Sequence, residues 1–203
     1  MKQGITDYFA ALHQSLTQVT VTDGSGRPIA REDAYALAIR EMRATHAAGG
    51  KLMFIGNGGS ASIASHMAID YSKNGGIRAM AFNDAAALTC LANDLGYENV
   101  FAKQVEMHAA AGDMLVAISS SGQSMNILKA ADTARERGCK VLGFSGFSAN
   151  NPLRNYGDLN FYVNSGEYGF VEIAHLALIH SILDLAMGWS TSFETPKEQH
   201  VKI

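Results

Sequence analysis

Proline and cysteine are scarce in this chain of 203 residues, which holds three of the first and two of the second. So few prolines exclude a collagen-like or proline-rich extended chain. Cys90 and Cys139 stand far apart with no CxxC neighbour, which argues against a disulfide-stapled fold or a cysteine zinc site. A reducing compartment with structural thiols fits them. An excess of positive charge is also missing: 16 Lys and Arg face 19 Asp and Glu, a formal charge of −3. Nothing in that balance calls for nucleic acid or an anionic membrane as partner. The opening Met1-Lys-Gln-Gly-Ile-Thr-Asp7 lacks the apolar core of a secretory signal. The most membrane-like stretch, Val171 to Trp189, is interrupted by Glu172, His175, His180 and Asp184. Such groups are costly in hydrocarbon, so the stretch reads as a buried helix and the chain as cytoplasmic.

What the chain does have is apolar bulk, 47% of residues, enough for a substantial core in one domain spanning residues 1–203. Helical periodicity covers about 4–18 and 31–48, separated by a turn-rich connection over 21–30. These N-terminal helices, about 1–48, are expected to pack on the core or on a neighbouring subunit. From Lys51 onward, short apolar runs at 51–55, 78–83, 114–118, 140–145 and 159–163 alternate with helical segments. Those segments fall near 60–73, 85–95, 98–110, 124–137 and 168–187. Continuous apolar strands separated by helices imply an α/β fold, a parallel sheet covered on both faces. Ligands in such folds bind beyond the carboxyl ends of the strands.

Two of those strand ends carry loops of small polar residues. Lys51-Leu-Met-Phe-Ile55 runs into Gly56-Asn-Gly-Gly-Ser60, and Met114-Leu-Val-Ala-Ile118 into Ser119-Ser-Ser-Gly-Gln-Ser124. A loop of this kind opening a helix turns backbone N–H groups and the positive end of the helix dipole toward an anion. Asn57 and Ser60 add side-chain hydrogen bonds. Ser119, Ser120, Ser121 and Ser124 supply four hydroxyls where one would suffice to cap a helix. Neither loop matches a Walker A motif or a complete GxGxxG, so a small ester such as a sugar phosphate fits better than ATP or NAD.

The acid–base residues lie elsewhere. His66 and Asp70 are four apart and share a helix face. Glu172 and His180, eight apart, fall within one broad face of the last helix. Two imidazoles and two carboxylates suit zinc or proton transfer, but by themselves a hydrogen-bonded structural pair and a core histidine are the commoner reading. His175 lies on another side and reads as structural. Asn93-Asp94 reads by itself as a turn-forming pair.

As a set these residues resemble the SIS-domain phosphoheptose isomerases. The likeness rests on Gly56-Asn-Gly-Gly-Ser60, His66, Ala92-Asn-Asp94, Gly112 through Gly122, Ser124, and Glu172 with His175 and His180. It runs from about residue 35 to residue 187. The resemblance implies a flavodoxin-like three-layer sandwich with a five-stranded parallel sheet, and a homotetramer. It implies conversion of sedoheptulose 7-phosphate to D-glycero-D-manno-heptose 7-phosphate through an enediolate. By position, Asn57, Gly58, Gly59, Ser60, Asn93 and Asp94 would contact substrate, with Glu172 beside them. Ser119, Ser120, Ser121 and Ser124 would hold the phosphate. His66, Asp70, Glu172 and His180 would be the zinc ligands, with Asp70, Glu172 and His180 catalytic.

The chain departs from that pattern at several points. Asp70 stands where the family has glutamate, and Glu172 where it has glutamine. The segment after Asp70 is shorter than usual and lacks an expected arginine, and Gly169 replaces an acidic residue. The alternatives are a non-catalytic SIS protein that binds a sugar phosphate or a replication initiator, and an isomerase of another phosphosugar.

Overall fold

The computed structural model describes residues 2–190; the remaining part of the expected 1–203 domain lies outside the described residues. Five strands form the parallel part of the sheet: β3 (Leu52–Gly56), β4 (Ala79–Ala81), β5 (Met114–Ser119), β6 (Lys140–Ser145) and β7 (Leu159–Tyr162). They adjoin in the order β7-β6-β5-β3-β4. Every residue of β3, β5 and β7 is buried, as a sheet covered by helices on both faces requires.

One expectation needs correction. The sheet has seven strands, because the turn-rich connection contains a β-hairpin, β1 (Thr20–Asp23) and β2 (Pro28–Ile29). β1 runs antiparallel to β7, pairing Val21 with Phe161. At the turn the Asp23 carboxylate accepts from the amides of Ser25 and Arg27 and from the Arg27 guanidinium. The Gly/Ser/Pro-rich turn therefore joins two short strands rather than two helices directly.

Helices α1 (Lys2–Thr17) and α2 (Arg31–Ala47) precede the parallel strands. α2 belongs to the core, burying Ala34, Ala38 and Met42. The Tyr35 hydroxyl lies 2.9 Å from that of Ser181 in the last helix. α1 is mostly exposed and leaves Ile5, Tyr8 and Phe9 open. Leu16 packs against the core, and the Tyr8 ring meets Phe170 edge-on at 4.7 Å.

The remaining helices are α3 (Gly59–Lys73), α4 (Ala85–Leu95), α5 (Val100–His108), α6 (Met125–Glu136) and α7 (Tyr168–Ala186). One face of the sheet packs on α3, α7 and α2; the other packs on α5 and α6. The helix expected over 98–110 is split into a 3-10 turn at Tyr97–Asn99 and α5. Among the described residues, α7 alone is long and apolar enough to cross a membrane. Here its Val171, Ala174, Leu178, Ile182 and Leu183 are buried in the core, as expected for that stretch.

His175 sits in the middle of that buried face, 0% exposed, and its Nε2 donates to the Ser145 carbonyl at 3.1 Å. Burial pushes its pKa down to about 4, so the imidazole is neutral in the fold. In the unfolded chain it titrates near 6.5. Between these values the unfolded state binds more protons, so stability falls as pH drops from about 6.5 toward about 4, by on the order of 3 kcal/mol in full. Urea midpoints at pH 7 and pH 4.5 should differ accordingly, with a shallower dependence in His175→Gln. An equally steep dependence in that variant would remove His175 as the cause.

Candidate active site

The sheet register brings the two loops together. β3 and β5 pair from Leu52 with Met114 to Gly56 with Ile118, so both strands end at one level and their loops leave side by side. The first turn is tight. Gly58 has φ 54°, and a Cβ on Gly56 would come to 2.5 Å from the Ser60 carbonyl oxygen. A side chain on Gly59 would collide with the Glu172 carboxylate, which places that carboxylate directly over the start of α3.

The serine loop is braced from beneath. Gly122 has φ 63°, and a Cβ there would run into the side chain of Asn151. Asn151 in turn donates to Ser145 Oγ, to the Gly146 carbonyl and to the Ser148 carbonyl. The backbone adds Gly146 N–H to Ser120 O and Leu153 N–H to Gly122 O, at 2.9 and 3.0 Å. The loop is thus held in shape by residues beyond it, and two of its hydroxyls are left unengaged. Ser119 Oγ and Ser121 Oγ accept from the amides of Gly122 and Gln123. Ser124 is the N-cap residue of α6, yet its side chain caps nothing. Ser120 Oγ is buried without any partner.

A buried hydroxyl with no partner costs about 1–3 kcal/mol, so a ligand that accepts from it recovers that cost. A cavity of about 120 Å³ opens at this point, lined by Asn57, Ser60, Ser119, Ser120, Ser121, Ser124, Tyr168 and Glu172. Oriented hydroxyls at the N-termini of two helices suit an anionic ester. Ser120→Ala should therefore raise the melting temperature of the ligand-free protein and weaken inorganic phosphate about tenfold. A variant that keeps wild-type phosphate affinity would remove Ser120 from the anion site.

The second cluster lies further along α3 and α7. Asp70 Oδ2 stands 3.5 Å from His66 Nε2 and 3.8 Å from His180 Nδ1. The two imidazole rings are 5.2 Å apart. One ligand atom from each of the three residues lies within 4.8 Å of the others. The group is open to solvent on one side, with the His66 side chain 52% exposed and that of Asp70 20%.

Of the sequence-predicted residues, the structure joins Asn57, Ser60, the four serines and Glu172 in one pocket, and His66, Asp70 and His180 in a second cluster. It does not join Glu172 to the histidines. Eight residues separate Glu172 from His180, about 12 Å along a helix. Asn93 and Asp94 line neither group. They belong to the last turn of α4, where Asn93 Nδ2 donates to Asp94 Oδ1 at 2.8 Å, and Gly96, with φ 85°, makes the turn.

Three residues at the site escaped the sequence reading. Asn126 exchanges hydrogen bonds with Asn57, Tyr97 donates to Asn57, and Tyr168 closes one wall of the cavity. The available signals were the position of Asn126 two residues after Ser124, and of Tyr97 directly after the turn glycine.

These features define an α/β protein with a serine-lined pocket at the carboxyl ends of its strands and a carboxylate–imidazole cluster beside it. The SIS domain profile matches residues 7–146. The phosphoheptose isomerase of Geobacter sp. strain M21 is 35% identical over 182 residues, 87% of this chain and 92% of that protein. That of Aliarcobacter butzleri is 32% identical over 91% of this chain and 96% of its own. Among solved structures, the phosphoheptose isomerase GmhA of Neisseria gonorrhoeae superposes with a TM-score of 0.80 at 29% identity. That match covers 93% of this chain and 99% of the other. The chain belongs to the phosphoheptose isomerase family of SIS-domain proteins.

Proposed function

We propose that this chain is an aldose–ketose isomerase converting sedoheptulose 7-phosphate to D-glycero-D-manno-heptose 7-phosphate. One observation carries the reading: α3 and α7, which bring Ser60 and Glu172 to the serine pocket, also carry the His66–Asp70–His180 cluster. From Gly59 to His66 is about 10 Å of α3, the reach of an extended seven-carbon ester. With the phosphate on Ser119, Ser120, Ser121 and Ser124, C1 and C2 of the ketose reach the cluster. Asn57, Gly58, Gly59, Ser60 and Glu172 contact the end nearer the phosphate.

Asp70 is the carboxylate at the reacting end and takes a proton from C1. His180, within 3.8 Å of it, donates one to the C2 oxygen, giving the enediol by way of the enediolate. A proton returned to C2 and one lost from the C1 hydroxyl complete the aldose. Glu172 is one candidate for a proton carrier, but its place beside the serines suits contact with sugar hydroxyls better.

The same cluster fits a metal. Tetrahedral zinc ligands about 2.1 Å from the ion lie about 3.4 Å apart, close to the 3.5 and 3.8 Å separations around Asp70. His66, Asp70 and His180 would hold zinc, which supplies a Lewis acid for charge developing on substrate oxygen. We extend the reading to one SIS domain acting in the cytoplasm as a homotetramer. The exposed Ile5, Tyr8 and Phe9 of α1 offer an apolar surface for a second copy.

The test is incubation of the purified protein with sedoheptulose 7-phosphate, with and without added zinc, followed by NMR. The aldose 7-phosphate is the expected product. Binding of the ester without turnover in either condition would overturn the isomerase reading in favour of a non-catalytic phosphosugar binder.

A further inference from the structure

The first loop is joined to the second by a single side-chain pair. Asn57 Nδ2 donates to Asn126 Oδ1 at 2.9 Å, and Asn126 Nδ2 donates back to Asn57 Oδ1 at 2.9 Å. Tyr97 Oη adds a third bond, donating to the same Asn57 Oδ1 at 3.0 Å. Asn126 is 3% exposed and rides on the first turn of α6, directly after the phosphate-loop serines. Tyr97 comes from a different segment, the 3-10 turn after α4.

This arrangement settles what Asn57 can offer. A side-chain amide has one oxygen with two lone pairs and one nitrogen with two hydrogens. Here the oxygen already takes two donors and one hydrogen is committed to Asn126. One N–H remains, and Asn57 borders the cavity with Ser60 and Glu172. A freely rotating amide would present its oxygen about as readily as its nitrogen, and its oxygen would repel a substrate oxygen bearing negative charge.

We propose that Asn126 and Tyr97 are positioning residues that lock the Asn57 amide with its N–H turned toward the ligand. This rests on the site being a phosphosugar site, and extends it. Asn57 then acts as a fixed donor to an anionic or carbonyl oxygen, and the lock ties its geometry to the serine loop carrying Asn126. An oriented donor held in advance costs no reorganisation when the ligand arrives. Removing either brace lets the amide turn away, while Asn57 itself remains.

The experiment is a mutant cycle on Asn57→Ala, Asn126→Ala and Tyr97→Phe, alone and combined, in the full chain. It reads both the calorimetric Kd for sedoheptulose 7-phosphate and kcat/KM. Tyr97→Phe and Asn126→Ala should each weaken binding about five- to tenfold, the value of one oriented hydrogen bond. In the Asn57→Ala background neither should add more than about twofold. Tyr97→Phe removes one hydroxyl from an exposed ring and should leave the melting temperature unchanged, so its loss of affinity cannot be a folding defect. The side-chain amide signals of Asn57 should be two resolved peaks in the wild type and exchange-broadened in Asn126→Ala. Effects that multiply in the double variants, or full affinity in Tyr97→Phe, overturn the lock. Wild-type protein that binds the ester without converting it overturns the isomerase reading alone, because the Kd cycle still judges the lock. Absence of binding by the wild type overturns both.

Discussion

Replacing His180 by alanine should abolish isomerase turnover, lowering kcat by about a thousandfold, and leave the fold standing. The magnitude follows from what a positioned general acid contributes, about a hundredfold to ten-thousandfold. The preserved fold follows from the packing. The His180 side chain is 33% exposed, while the core contacts of α7 come from neighbours such as Leu178, Ile179 and Ile182. Truncating it empties no closed cavity. Its loss also strips Asp70 of one of two imidazole neighbours, so zinc affinity should fall in the same variant. Steady-state kinetics with a thermal melt separate the outcomes. Wild-type turnover in His180→Ala removes the residue from the mechanism, and an unfolded variant is revealed by the melt, with His180→Gln then supplying the milder replacement.

Asp70→Asn is expected to cost about as much in kcat, and to leave KM nearly unchanged. The amide has the size of the carboxylate but cannot take a proton from carbon. The interaction it removes acts in the transition state and not in ground-state binding, so kcat and kcat/KM should fall together. Glu172→Gln provides the contrast. Its carboxylate lies over Gly59 among the serines, where a phosphate dianion would be repelled by it. Neutralising it should tighten inorganic phosphate binding several-fold and reduce kcat far less than Asp70→Asn does. If Glu172→Gln proves the inactive variant and Asp70→Asn the active one, the proton-accepting role moves to Glu172.

Much of this was legible in the sequence because its signals are local. Apolar runs at 51–55 and 114–118 each end in small polar residues, and a parallel sheet flanked by helices follows from their alternation with helices. The missing β1–β2 hairpin has a different cause. Its strands hold four and two residues, and β1 is fixed by pairing with β7 far along the chain, a non-local contact with no local signature. The same reason hides Tyr97 and Asn126, whose bonds to Asn57 span 40 and 69 residues. Helical spacing showed that Glu172 and His180 share a face. It could not show that the face meets α3 twice, once at Gly59 and once at Asp70, with a different neighbour at each level.

The central claim is that a phosphosugar is held by the serine pocket while its far end exchanges protons with the Asp70–His180 pair. Running the reaction in deuterium oxide and reading the product by NMR tests this directly. An enediolate route places solvent deuterium at C2 of the aldose, and Asp70→Asn should abolish both product and label. An aldose formed with no deuterium at C2 at any extent of conversion would contradict the account.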